Sequence, residues 1–291
     1  MSTPLDKALP LIYHHINRKV DNQVVDKGEM NVFVGRVSEL AEMEQRWKRG
    51  QFEFGVVYGT RRIGKTTLLQ EFIKGKTAFY FQARKADEKD NLTAFSREFR
   101  KMQGVDEHVS YHSFPDAFDS IVAFSKKQRL ILIIDEISYL CQKSKALLSL
   151  LQFYIDGAFR EAQLMIILSG SNVSFMEEIL NNRNDPLYQR ATFQVHLEKM
   201  PFDEARQFVS DLSAEEQAQY LGLFGAHPYY LGMIDHATSF LENVRSLLYS
   251  KYGTLLDAPE KIMPAGVSDQ NMYNSVIQAV AKGKRFSKEI A

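Results

Sequence analysis

The chain's densest chemistry lies between Val56 and Phe72, in VVYGTRRIGKTTLLQEF. Two glycines with four residues between them, followed at once by a lysine and a threonine, suit a chain of phosphates. Gly59 and Gly64 free the backbone so that amides from about Arg62 to Thr66, Ile63 among them, can turn inward toward phosphate oxygens. A helix starting near Gly64 would aim the positive end of its dipole at the same anion. Lys65 would reach the β- and γ-phosphates, and the Thr66 hydroxyl would bind Mg2+. Thr60, Arg61, Arg62 and Thr67 complete the expected nucleotide-binding stretch. The two arginines keep two readings: contact with phosphate, or a solvated or acid-paired place in the loop.

A second cluster closes the apolar run RLILIIDE at 129–136. Asp135, at the end of a buried strand, would hold the Mg2+ shell directly or through water, and Glu136 would polarise the attacking water. Carboxylates of this kind belong outside the carboxyl ends of the strands, where open α/β sheets bind ligands. Taken alone, an acidic turn after a strand is the plainer alternative. The run LMIILSGSNVSF ends in Ser169, Ser171 and Asn172. Ser171 is the candidate to sense a γ-phosphate or position the water, while serines and asparagine in such a place also cap the next helix.

These groups need a sheet to position them. FGVVYG, TAFYFQA, RLILIIDE, AQLMIILSGS and TFQVHLEKM read as five strands, and the segments between them carry helical periodicity. Strands alternating with helices predict a parallel α/β sheet. The apolar run before Asp135 predicts a strand covered on both faces. The stretch between Lys65 and Asp135 holds one strand and two helices, at roughly 90–103 and 114–127. That gap suits an arrangement in which a further strand separates the loop strand from the Asp strand. SELAEMEQRWKRG (38–50) reads as a helix with Ser38 as its N-cap and Gly50 after its end. Beyond Pro201 the texture turns helical without strands, in PFDEARQFVSDL, SAEEQAQYLGLF and HPYYLGMIDHATSFLENVRSLLYSKY.

Composition narrows the classes. Lys plus Arg and Asp plus Glu both number 36 among 291 residues, so bulk charge gives no case for nucleic acid or an anionic membrane. The single cysteine, Cys141, reads as a buried thiol of a reducing compartment. With no stretch approaching the ~20 apolar residues of a membrane span and no signal-peptide pattern, a cytoplasmic protein without membrane partners is expected. His14 and His15 are adjacent, a poor chelating spacing, and are expected at the surface.

In order along the chain come FVGR (33–36) with Glu39, the phosphate loop, IIDEISYL, ILSGSNVSFMEEI, PLYQR and GAHPYYL. This ordered set resembles the archaeal-type ATPases of the STAND branch of the AAA+ superfamily, relatives of the origin-recognition ATPases, over about residues 31–291. The resemblance implies that Val34, Gly35 and Arg36 lie near an adenine and that Pro228 contacts it from a helical lid. It implies ATP rather than GTP, in agreement with the lack of an Asn-Lys-x-Asp guanine motif. Arg190 falls where such proteins carry an arginine finger after the sensor strand, acting in trans, in cis, or merely pairing with an acid. Two positions depart from the family pattern: Gln189 and His227 stand where glycine is commoner.

The expected fold is a three-layer α/β phosphate-loop core with a five-stranded parallel sheet, followed by a helical lid and the start of a winged helix. The expected organisation is an N-terminal arm over 1–30, the core over 31–200, the lid over 201–252, a linker over 253–269 and an incomplete winged helix over 270–291. In the last, Met272, Val276, Ile277 and Val280 form an apolar face. KGKR breaks the helix, and FSKEIA opens a second one with Ser287 as N-cap. Lys282, Lys284, Arg285 and Lys288 would be either a phosphate-contacting edge or a solvated charge run. A chain stopping there is expected to bind duplex DNA weakly or not at all, and a longer one to carry the rest. The expected function is a Mg2+-dependent, slow ATPase acting as a switch, with ATP or ADP bound and self-association at shared interfaces in view. A module that holds nucleotide with negligible turnover is the alternative, and a small-molecule kinase is weaker for want of an acceptor signature.

Overall fold

The computed structural model describes residues 33–141, 146–256 and 270–284. From Val34 on, the described residues belong to the second of the chain's two units, Val34–Ala291. The expected N-terminal arm with His14 and His15, most of the expected linker, and the second helix of the expected winged helix lie outside the described residues.

Chain order in the second unit is α1 (Val37–Lys48), β1 (Glu53–Gly59), α2 (Lys65–Ile73), β2 (Ala78–Gln82), α3 (Glu88–Gln103), α4 (Phe114–Ser125) and β3 (Leu130–Asp135). Then come α5 (Ile137–Cys141), α6 (Ala146–Asp156), β4 (Leu164–Gly170), α7 (Val173–Asn181) and β5 (Phe193–Leu197). The five strands form one sheet in the order β2-β3-β4-β1-β5, every neighbouring pair parallel. β4 therefore stands between the strand that feeds the phosphate loop and the strand that ends in Asp135. That is the separation the spacing predicts.

Sheet position explains the strand sequences. β1, β3 and β4 are central and buried at every residue, so they can be apolar without alternation. β5 lies at an edge and alternates buried and exposed positions, and β2, at the other edge, alternates buried with more accessible ones. On β2, Phe79 and Phe81 both meet Phe95 of α3 edge-on, with ring centroids 4.9 and 5.1 Å apart. These contacts continue through Phe114, Phe118, Tyr154 and Phe159 and seat α3, α4 and α6 against the sheet. Tyr80 lies between those two phenylalanines, so pleating turns it to the opposite face.

Local signals set the helix starts, with one correction. Ser113 accepts a hydrogen bond from the Asp116 amide and Asn172 one from the Phe175 amide, capping α4 and α7. The expected cap at Ser38 is not formed. Helix α1 begins at Val37 behind Arg36, which is held at φ 57°, and the Ser38 hydroxyl donates to Glu39 instead. Tertiary bonds to Arg36, described below, fix that backbone turn and override the local capping preference.

After β5 the chain is helical: α8 (Phe202–Ala205), a 3-10 turn (Arg206–Val209), α9 (Ala214–Phe224), α10 (Pro228–Leu231), α11 (Phe240–Val244) and a π turn (Arg245–Tyr249). Met200, Ala205, Val209, Tyr220, Phe224, Leu231, Ile234 and Leu255 make a second hydrophobic core there. The stretch from His227 to Tyr252, expected as one helical run, is interrupted around Asp235–Ser239. The buried Asn243 side chain accepts from the Asp235 amide at 2.8 Å and donates to the Tyr220 hydroxyl at 2.7 Å. Ser239 and Glu242 form a capping box that restarts the helix. Past the break in description, α12 (Gln270–Ala281) exposes Met272, Val276, Ile277 and Val280, and the chain turns at Gly283 with φ 87°.

Candidate active site

The site assembles where β1, β2, β3 and β4 end. β1 runs into Gly59, where an added Cβ would sit 2.3 Å from the Leu197 carbonyl oxygen of β5, so no larger residue fits. The loop then passes to Gly64, whose φ of 95° is costly for any residue with a side chain, and α2 starts at Lys65. No side chain caps that helix start. Its first amides and the positive dipole end therefore face the loop.

Lys65 is buried, and its Nζ donates to the carbonyls of Gly59 at 2.9 Å and Thr60 at 3.0 Å. Burial pushes its pKa down, against the opposing pull of Glu136 and Asp135, while the charge of Arg61 adds to the lowering. An ammonium has three N–H donors, so one remains for a phosphate oxygen. Thr60, Thr66 and Thr67 are exposed at this mouth, and Ile63 packs inward.

Asp135 is buried at the end of β3. Its Oδ1 accepts from the Glu136 amide at 3.0 Å, and its Oδ2 lies 3.5 Å from the Thr66 hydroxyl. The Tyr80 hydroxyl donates to the same Oδ2. Burial first, and then the charge of Asp135 and the bond to it, raise the Tyr80 pKa, so the phenol stays protonated and donating. Glu136 occupies φ 53°, a strained conformation for a residue with a side chain. The turn lifts its carboxylate toward β4, where Oε2 accepts from the Ser171 amide at 3.1 Å and the Ser171 hydroxyl at 2.9 Å.

Mg2+ takes hard oxygen donors and binds through one or two carboxylates plus substrate phosphates. The Thr66 and Asp135 oxygens fit that donor set. Among the described residues no group of three His, Cys, Asp or Glu side chains is placed to hold a metal on its own.

The helical region reaches the loop from the other side. Pro228 Cγ lies 3.5 Å from where a Cβ on Gly64 would be, and the Arg62 guanidinium sits 4.7 Å from the Tyr229 ring centroid. Burial and the nearby Lys199 and Arg36 charges lower the His227 pKa, which keeps the ring neutral. Arg36 is buried; its guanidinium donates to Glu39 at 2.9 Å, to the Ile63 carbonyl at 3.2 Å and to the Glu198 carbonyl at 2.6 Å. Its backbone amide donates to Glu204 at 2.7 Å. Gly35 is closed in by Met200 and Glu204, and Val34 is half-buried.

Lys65, Thr66, Asp135, Glu136 and Ser171 are thus gathered, with Arg36 and Pro228 against the same loop. Arg190 goes elsewhere: it grips Asp156 at the end of α6 through Nε at 3.0 Å and Nη2 at 2.9 Å. Gln189 beside it has φ 55°, which explains why glycine suits that position. His227 has φ −99°, open to any residue. Sequence reasoning missed Tyr80, Glu204, Asp156 and Tyr139, whose hydroxyl accepts from Arg61 at 3.1 Å. None of the four left a signal that local sequence pattern could resolve.

A solved structure of a Walker-type ATPase of Pyrococcus abyssi is similar over 92% of this chain and 85% of its own, with TM-score 0.62 and 18% identity. The Aeropyrum pernix ORC1 protein, solved in complex with DNA, matches over 90% of this chain and 76% of its own, with TM-score 0.53 and 15% identity. At those identities the likeness is one of fold. An uncharacterised protein of Methanocaldococcus jannaschii is 28% identical over 264 residues, 89% of this chain and 56% of that protein. This chain therefore spans little more than half the length of that curated relative. The family described as an ATPase domain predominantly from Archaea matches residues 33–234, more than half of the chain, and the chain belongs to that family.

Proposed function

We propose that this chain binds ATP with Mg2+ at the mouth between β1 and β3, hydrolyses it slowly, and reports the nucleotide state through the helical region beyond β5. The observation that carries the reading is the Glu136 carboxylate, next in sequence to Asp135 and aimed by Ser171 at the ends of β3 and β4. Lys65, the loop amides and the α2 dipole would bind the phosphates. Thr66 and Asp135 would hold Mg2+, which when bound neutralises charge on the phosphates. Glu136 would accept the proton of the attacking water. Val34, Gly35 and Pro228 are proposed to border the adenine. Arg36, with its guanidinium and backbone amide committed to protein groups, would brace the loop there.

Lys65→Ala is expected to abolish ATP binding, and Glu136→Gln to preserve binding and remove hydrolysis. Wild-type hydrolysis by Glu136→Gln would end the catalytic assignment. The second reading, a module that holds nucleotide without turnover, is favoured by one observation: both Ser171 donors already occupy the Glu136 carboxylate. A single-turnover assay set against nucleotide content after purification separates the two.

Partners are proposed on thinner ground. The ORC1 structure includes DNA, and Lys282 and Lys284 follow α12 here; we expect weak, salt-sensitive duplex binding by residues 1–291. Arg190 would act in trans only by leaving Asp156. Restored hydrolysis on mixing Arg190→Ala with Glu136→Gln protein would show that exchange and the homo-oligomer it requires. Among the described residues no helix is long and apolar enough to cross a membrane.

A further inference from the structure

Five cations of this chain are candidates to meet the charge that develops as a γ-phosphoryl group is transferred, and the structure has committed four of them. Lys65 is folded onto the Gly59 and Thr60 carbonyls with one N–H left. The Arg36 guanidinium is buried on Glu39, Ile63 and Glu198. Arg62 lies over the Tyr229 ring, and Arg190 grips Asp156. Arg61 differs. It is exposed on the phosphate loop, and among the described residues its one side-chain partner is a neutral phenol, Tyr139, at 3.1 Å. No carboxylate of the described residues pairs with it.

Its direction matters as much as its freedom. Arg61 is the second residue of the loop after β1, and Tyr139 lies on α5, three residues beyond Glu136. The guanidinium therefore spans from the element that carries Lys65 to the element that follows Glu136. An exposed guanidinium on the phosphate loop, without a carboxylate partner among the described residues, is open to an anion. Polyphosphate is that anion, and the Tyr139 phenol holds the fork without neutralising it.

We propose that Arg61 is a catalytic residue that supplies the transition-state cation in cis, with Tyr139 as its positioning residue. The proposal rests on the ATPase reading of the site. As the water oxygen bonds to the γ-phosphorus, the bond to the β,γ-bridging oxygen breaks and the water proton passes to Glu136. The electron pair stays on the bridging oxygen, which leaves with ADP. Arg61 faces the negative charge on that oxygen and on the γ-oxygens, where a planar fork of donors fits better than a point charge.

The test compares wild type with Arg61→Ala, Arg61→Lys and Tyr139→Phe. It measures single-turnover hydrolysis and the affinities for ADP and for ADP with aluminium fluoride, an analogue of the transferring group. Arg61→Ala is expected to lose about 10²–10³-fold in rate, the usual cost of one preorganised donor. It should also lose the preference for the aluminium fluoride complex over ADP while keeping ADP affinity within about threefold. Arg61→Lys should recover part of the rate, Tyr139→Phe should lose less than Arg61→Ala, and mixing Arg61→Ala with Glu136→Gln protein should restore nothing. Wild-type rate in Arg61→Ala, equal loss of ADP and analogue binding, or recovery on mixing would each overturn the assignment. If wild type turns nothing over, the ATPase reading falls, and the analogue-to-ADP ratio still judges Arg61 separately.

Discussion

Removing the Arg36 side chain tests how the phosphate loop is braced. Arg36 is 4% exposed and supports three elements at once: Glu39 on α1, the Ile63 carbonyl in the loop, and the Glu198 carbonyl at the exit of β5. In Arg36→Ala, Glu39 keeps the Ser38 hydroxyl and access to water, so its loss is small. The carbonyls of Ile63 and Glu198 lose their donors, at about 1–3 kcal/mol for each group left unpaired. Relief of the guanidinium's own burial, including an Nε without a partner among the described residues, offsets part of this. A net loss of about 2–4 kcal/mol follows, overlapping the ~3–5 kcal/mol cost of breaking one side of a buried charged contact. At ~2–4 °C per kcal/mol for a chain of this size, Tm should fall by roughly 5–15 °C. The left-handed backbone at φ 57° supplies a control. Arg36→Gly removes the same side chain without the strain and should be more stable than Arg36→Ala by about 1 kcal/mol. The assay is urea unfolding of the three proteins, together with binding of a non-hydrolysable ATP analogue. Affinity should fall about tenfold, or ~1.4 kcal/mol, in both variants. If both variants unfold with the wild type and bind the analogue equally, Arg36 is not a brace.

Three further outcomes are expected. Gln189→Gly relieves φ 55° at an exposed residue, and against the ~0.5–1 kcal/mol entropic cost of glycine the ~1–2 kcal/mol of strain should leave Tm slightly higher, while Gln189→Ala should not raise it. His227 has its pKa below the ordinary value of about 6.5, so the fold prefers the neutral ring. The stability it contributes is present in full above about pH 6.5 and is lost as pH falls through the lowered folded value. Tm measured down to pH 5.5 should decline less in His227→Gln than in wild type, and equal declines would refute the linkage. Burial pushes the Cys141 thiol up to about 12, so iodoacetamide at pH 8 should label it only as fast as the protein unfolds. Rapid stoichiometric labelling of folded protein would contradict its burial.

The order of the sheet and the phosphate loop were legible because both rest on local pattern. Central strands must be apolar on both faces, and the loop needs glycines at fixed spacing from a lysine. Asp135 and Glu136 were legible for a related reason, since charge directly after five buried residues has few structural uses. The partners that tune those groups were not. Tyr80 sits between two core phenylalanines and reads as a third, because nothing in the sequence tells which face of β2 meets Asp135. Tyr139 and Glu204 act across 78 and 168 residues of chain. Ser38 failed as a cap for the same reason: long-range bonds to Arg36 decide where α1 begins. The break around Asp235–Ser239 was hidden because the amide of Asn243, which satisfies the freed backbone, lies inside the run that reads as helix.

The contacts between the phosphate loop and the helical region give the proposed switch a physical route. Arg62 meets Tyr229, Gly64 meets Pro228, and Arg36 links Ile63 to Glu198 while its amide binds Glu204. Every one of these residues lies in, or holds, the backbone whose amides would turn toward phosphate. A ligand shifts an equilibrium only through its differential affinity for the two states. Nucleotide that draws the Arg62–Gly64 amides inward must therefore strengthen or weaken the seat of Pro228 and Tyr229. The second hydrophobic core, built around Tyr220 and Phe224 and pinned by Asn243, ties the helical segments together. On the proposed reading, phosphate occupancy is the state that the helical region would sense.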